Sequence, residues 1–148
     1  MELKDLLRYE SIVIQCHDEP DADALASGFA LWQWLSDHGK AARFVYGGRN
    51  GSLKPNLRYM KELLHIPVEH VTELTAPEVL IMTDCQYGER NAQRFPAGTV
   101  CVIDHHQVRD RAALPEMHAV MENVGSCATV VYGLLRRDGY DLSDKTAV

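Results

Sequence analysis

The apolar residues of this chain fall into short runs that stop abruptly in polar clusters. Residues 11–16, 42–46, 79–83 and 99–103 read as strands, rich in Val, Ile and aromatic residues and too short for core helices. Residues 118–121 are a weaker fifth candidate, and 66–71 are either a short strand or an extended linker. Helical spacing fills the intervals. Leu3, Leu6 and Leu7 mark a short lead-in helix. Leu25, Gly28, Phe29, Trp32 and Leu35 form a core-facing stripe that Leu31 and Trp34 widen. Asp21 or Asp23 can cap that helix, and Gly39 can end it. A second helix opens at Lys54-Pro55-Asn56 and runs through Leu64, with Pro55 acceptable in the first turn. Residues 88–94 predict a short helical turn. Gly125-Ser126 starts a helix to Arg137, with Val130, Val131, Leu134 and Leu135 on its buried side. Strands alternating with helices predict an α/β fold: an open, mainly parallel sheet of about five strands with helices on both faces.

Composition narrows the picture. The 148 residues suffice for one domain, and 46% hydrophobic with 24% charged residues is ordinary globular composition. A net charge of −6 argues against a long nucleic-acid track, which needs a basic surface. Cys16, Cys85, Cys101 and Cys127 form no C-x-x-C pair and lie in or beside apolar runs, so a zinc ribbon is excluded and a reduced, cytoplasmic protein is expected. MELKDLLRYE lacks the basic-then-apolar order of a signal peptide, and no apolar run approaches the roughly 20 residues of a membrane span. Residues 142–148 look like a capped helix start, yet the chain stops within about one turn. The sequence is therefore expected to be a fragment, or to be completed by another chain; a homodimer is left open.

The polar clusters carry the chemistry. The first strand ends in His17, Asp18, Glu19, Asp21 and Asp23, the third in Asp84, and the fourth in Asp104, His105 and His106. In a parallel sheet such ends converge on one edge, where ligands bind. A dense carboxylate cluster repels itself unless a cation sits among it. The number of ligands suggests two ions. Mixed imidazole and carboxylate donors suit Mn²⁺, Fe²⁺, Co²⁺ or Zn²⁺ better than Mg²⁺. Paired ions roughly 3.5–4 Å apart are a device for phosphoryl transfer to an activated water. Gly47-Gly48-Arg49-Asn50-Gly51 is a loop that either approaches a ligand closely or simply turns. Asp18 and Glu19 are expected to shape the turn rather than bind metal.

His17, Asp21, Asp23 and Ala24, the isolated Asp84, the Asp104-His105-His106 triplet, and Gly125-Ser126-Cys127-Ala128-Thr129 resemble the four ordered motifs of the DHH phosphoesterase superfamily, over about residues 11–137. That superfamily includes RecJ-like nucleases, oligoribonuclease/phosphoadenosine-phosphate phosphatases, cyclic-dinucleotide phosphodiesterases and family II pyrophosphatases. The resemblance implies Mn²⁺ as cofactor, with Co²⁺, Fe²⁺ or Mg²⁺ as alternatives. It implies that His17 and Asp21 bind one ion, Asp23 and His105 the other, and that Asp84 bridges both. His106 would face the scissile phosphate, with Asp104 behind it fixing an imidazole. Asn123, Ser126 and Thr129 would lie where a helix N-terminus either offers N–H groups to an anion or is simply capped. The family supplies a further aspartate to the second ion, and a smaller substrate-binding lobe, beyond Val148. This polypeptide alone is therefore expected to bind the second ion weakly and to turn over poorly.

The leading function is metal-dependent hydrolysis of phosphoester bonds in small nucleotides: short single-stranded oligonucleotides, phosphoadenosine phosphate or cyclic dinucleotides. Inorganic pyrophosphate ranks lower, because no dense basic cluster lies near the motifs; Arg43, Arg49, Lys54 and Arg58 are scattered. A nucleotide-binding regulatory module without turnover is the non-enzymatic alternative.

Overall fold

A strand buried on both faces needs apolar side chains at successive positions, and β1 (Ile12–Cys16) and β4 (Val79–Thr83) are buried at every position. They form the middle of a six-stranded, all-parallel sheet with β2 (Ala42–Tyr46), β3 (Val68–His70), β5 (Thr99–Asp104) and β6 (His118–Met121), in the order β3-β2-β1-β4-β5-β6. The computed structural model describes residues 1–107 and 118–142. The expected helix start at 142–148 falls almost entirely outside them.

The sheet has one strand more than expected. Residues 68–70 pair with β2 in parallel, Phe44 opposite Val68, with Val68 buried and Val71 N–H bonding the Tyr46 carbonyl. The chain winds from β1 outward to β3, crosses back to β4, and winds the other way to β6. The reversal therefore lies between β1 and β4, whose register sets Ile12 beside Val79 and Gln15 beside Met82. In open parallel sheets ligands bind at the carboxyl ends of the strands at such a reversal.

Among the described residues three α-helices cover the sheet: α1 (Ala22–Asp37), α2 (Pro55–Leu64) and α3 (Cys127–Arg137), with a 3-10 turn over Leu3–Arg8. Helices on both faces were expected. Among the described residues, the buried side chains of all these helices instead join one core, with Ile12, Ile14, Phe44, Ile81 and Ile103 of the sheet. Val13, Val45, Leu80, Met82 and Val102 point the other way and pack on Cys85, Ala92 and Phe95. Handedness accounts for part of this. Right-handed connections put α1 and α2 on one face while the chain winds outward, and put the β4–β5 connection on the other once the direction reverses. Residues 88–94, expected as a helical turn, make successive tight turns, with Glu89 N–H on the Gln86 carbonyl and Ala92 N–H on the Glu89 carbonyl.

Within α1 the buried stripe is centred on Leu31, Trp34 and Leu35; Trp32 is half-buried and donates its indole N–H to the Ala42 carbonyl at 3.0 Å. Trp34 is fully buried and donates to Asp138, just beyond α3, at 3.0 Å. Gly28 lets α1 lie directly on β2, since a Cβ there would overlap the Phe44 ring.

Candidate metal centre

The reversal of the sheet brings the first two clusters together. His17 leaves β1 and Asp84 leaves β4. Asp21 caps α1 by accepting the Ala24 N–H at 2.9 Å, which fixes the turn from His17 into the helix. His17 Nε2 lies 3.7 Å from Asp21 Oδ1 and 3.6 Å from Asp84 Oδ2. The other oxygen of Asp84 faces the other way: Oδ1 is 3.3 Å from His105 Nε2, which is itself 3.6 Å from Asp23 Oδ2. The five expected metal ligands thus form two groups, His17 with Asp21 and His105 with Asp23, and one oxygen of Asp84 serves each.

Asp84 is held at some cost. Its φ of 60° lies in the left-handed region, which aspartate tolerates better than most residues. Its side chain is buried, and Oδ1 has no hydrogen-bond partner among the described residues. A buried carboxylate oxygen normally has a partner.

On the β5 side, the expected roles separate cleanly. Asp104 is fully buried; Oδ1 accepts the His105 N–H at 2.8 Å and lies 2.8 Å from His106 Nδ1, while Oδ2 accepts from Gln86 Nε2 at 3.0 Å. His105 Nδ1 lies 3.1 Å from the Val124 carbonyl. A carbonyl only accepts, so Nδ1 carries the proton and Nε2 is left as a lone-pair donor toward Asp84 and Asp23. By the same reasoning the Asp104 contact leaves His106 Nε2 directed elsewhere; that ring is half exposed, 56%, and lines a cavity of about 590 Å³ with Gln86, Arg90 and Asp104.

At the helix start expected to face an anion, Ser126, Thr129 and the first backbone N–H groups have protein partners. Asp23 accepts the N–H groups of both Cys127 and Ala128 at 2.8 Å, and Ser126 Oγ accepts the Thr129 N–H at 3.2 Å. The start of α3 is therefore turned onto a carboxylate of the protein, where its dipole favours negative charge. Ser126 is the helix cap, Thr129 Oγ1 is 2.8 Å from it, and Asn123 is exposed.

Burial raises the pKa of Asp84, and Asp23 and Asp21 push the same way against the opposing effect of His17. Burial alone would lower that of His17, yet Asp84 and Asp21 outweigh it and hold the imidazole above its ordinary range. Each group thus favours its protonated form, as expected where carboxylates crowd without a cation. Imidazole–carboxylate separations of 3.3–3.7 Å suit donors that share one ion at about 2.0–2.2 Å from each. The orphaned Asp84 oxygen, the oriented Nε2 atoms and the mixed donor set all fit divalent metal.

Several supporting groups carry no sequence signal. Gln86 completes Asp104, the Val124 carbonyl orients His105, and two backbone amides fix Asp23. Asp18 does shape the turn: its N–H donates to the Asn91 carbonyl and its Oδ1 accepts the Gln93 N–H, both at 2.7 Å.

A parallel sheet with its imidazoles and carboxylates gathered at the reversal defines an α/β domain built to hold divalent metal. The chain belongs to the DHH family: the model of that family's N-terminal domain matches residues 11–147. Among curated proteins it is 23% identical over 133 residues to a probable manganese-dependent inorganic pyrophosphatase of Staphylococcus saprophyticus, covering 88% of this chain and 42% of that protein. It is 23% identical over 140 residues to the Staphylococcus carnosus protein of the same name, covering 93% and 45%. The chain thus spans less than half the length of these relatives. Among solved structures it resembles an exopolyphosphatase-related protein of Bacteroides fragilis, with TM-score 0.68, 19% identity, and 97% of this chain and 45% of that one covered. A Methanococcus jannaschii structure, a candidate family II inorganic pyrophosphatase, gives TM-score 0.67 at 22% identity, with 90% and 44% covered. At these identities the structural likeness is one of fold.

Proposed function

We propose that the chain is the metal-holding part of a manganese-dependent phosphohydrolase that acts on small phosphorylated substrates. The observation that carries this reading is the division of Asp84, one oxygen toward His17 and Asp21 and the other toward His105 and Asp23. His17 with Asp21, and His105 with Asp23, would each hold one Mn²⁺, and Asp84 would serve both. When bound, the ions supply Lewis acidity, which withdraws charge from phosphoryl oxygens and makes a nearby water a nucleophile at neutral pH. His106 would face the phosphoryl group with Nε2; with Nδ1–H held on Asp104, only the doubly protonated ring would stabilise developing charge there or give the Nε2 proton to the departing oxygen, leaving the neutral imidazole. Asp104 keeps that ring fixed, and Gln86 and the His105 amide hold the Asp104 carboxylate in place. Asp23 is held in place by α3, so the helix couples the ligand set to the core.

Two substrate readings follow. Small nucleotides remain the reading that the acidic charge favours. Inorganic pyrophosphate is favoured by the names of the Staphylococcus relatives, and the objection to it is weaker than the sequence suggested, since Arg49 and Arg90 line a cleft that includes His17. A panel of pyrophosphate, phosphoadenosine phosphate, cyclic dinucleotide and dinucleotide substrates with Mn²⁺ tests both. Hydrolysis of at least one, reduced about 100-fold or more in His106→Ala, is expected. No hydrolysis of any member, with any divalent metal, would favour a regulatory binding module.

A further inference from the structure

Two clefts flank the carboxylate cluster, and they share residues. The cavity at His106 and Asp104 is about 590 Å³, and a second at His17 is about 530 Å³. Arg90 and Asn91 line both, and Arg49 lines the second. Two neighbouring cations are engaged elsewhere: Arg43 pairs with Glu69 at 2.8 Å, and Arg94 lies over the Tyr87 ring at 5.0 Å. Neither Arg49 nor Arg90 has a carboxylate within 4.0 Å among the described residues.

The loops that carry these arginines are fastened to the ligand turn. Asn91 accepts the Asp18 N–H through its carbonyl, and Asp18 Oδ1 accepts the Gln93 N–H. Gln93 Oε1 accepts the Gly48 N–H at 2.9 Å, and Gln93 Nε2 donates to the Thr72 carbonyl at 2.8 Å. Gly48 has a φ of 82°, and a Cβ there would stand 2.7 Å from Asp18 Cβ. The glycine loop therefore exists to bring the 47–50 segment against Asp18 and Gln93. That knot fastens the backbones of the two segments that carry Arg49 and Arg90 to the turn after His17, and both arginines line the cleft that includes His17.

We propose that Arg90 and Arg49 bind a second phosphate of the substrate, outside the phosphoryl group that is cleaved. This rests on the phosphohydrolase reading above and narrows its substrate to compounds with at least two phosphates. The chemistry is that of guanidinium forks on phosphate oxygens. In a chain of net charge −6 a substrate anion needs such cations at the rim of a carboxylate cluster.

The test is calorimetric binding to the Mn²⁺-loaded protein, with methylenediphosphonate as the diphosphate probe and inorganic phosphate as the single-phosphate probe. Arg90→Ala and Arg49→Ala are each expected to weaken methylenediphosphonate by about tenfold or more and inorganic phosphate by less than about twofold. Arg43→Ala should change neither, and Mn²⁺ binding should be unaltered in all three. Diphosphonate binding unchanged in both cleft variants, or equal losses for the two probes, would overturn the proposal and leave the phosphohydrolase reading standing. A wild-type protein that binds Mn²⁺ but neither probe would overturn both.

Discussion

A carboxylate at positive φ, out of reach of water and with one oxygen unbonded, is expensive to hold as an anion. Asp84 is held that way, with Asp21 and Asp23 nearby, and both it and His17 favour their protonated forms. The sign of the consequence follows. Both folded-state pKa values lie above those of the unfolded chain. The stability these groups contribute is therefore present at low pH and is lost as pH rises, for His17 through and above about 6.5. Metal needs the deprotonated forms, so binding must expel protons. Mn²⁺ affinity is expected to rise from pH 6 to pH 8. Titration calorimetry in buffers of different ionisation enthalpy should show proton release. An affinity flat across that range, with no buffer dependence, would contradict the assignment of His17 as a ligand.

Among the elements, α1 carries most of the connection between core and site. It presents Asp21 and Asp23 from its first turn, lies on β2 through Gly28, and meets the α3 region through Trp34 and Asp138. Gly28→Ala forces helix and sheet apart and is expected to cost about 1–3 kcal/mol, measured as a lower urea midpoint at unchanged m-value. A variant as stable as the parent would mean that the Phe44 ring yields at little cost. The helices and central strands were legible because each has a single-period pattern: the apolar runs at 12–14 and 79–83, and the spacing of Leu25, Phe29 and Leu35. β3 was ambiguous because only three residues pair. Among the described residues the second face is covered by the turns at 88–94, which bury Ala92 and Phe95 without helical period and so were hard to tell from a short helix in sequence.

At the scale of the whole molecule, the fold collects residues separated by up to 89 positions, His17 to His106, at one reversal of the sheet. The gathering of the candidate ligands was legible because each directly follows a strand or opens a helix, where side-chain direction is set by the element. The groups that support the site were not legible. The Val124 carbonyl, the Cys127 and Ala128 amides, Gln86 and Gln93 act through positions that only the tertiary fold creates. That the N–H groups at the start of α3 meet Asp23 was not legible for the same reason, because this acceptor lies 104 residues away. The central claim is that Asp84 serves two ions, and Mn²⁺ stoichiometry measured with electron paramagnetic resonance tests it most directly. At saturating Mn²⁺, where the weaker site also fills, the wild-type protein is expected to take up two ions with spin coupling between them. In Asp84→Asn, whose side chain suits the same backbone conformation, the coupling should vanish while the circular dichroism spectrum is kept. One uncoupled ion in the wild type, or two coupled ions that survive Asp84→Asn, would contradict it.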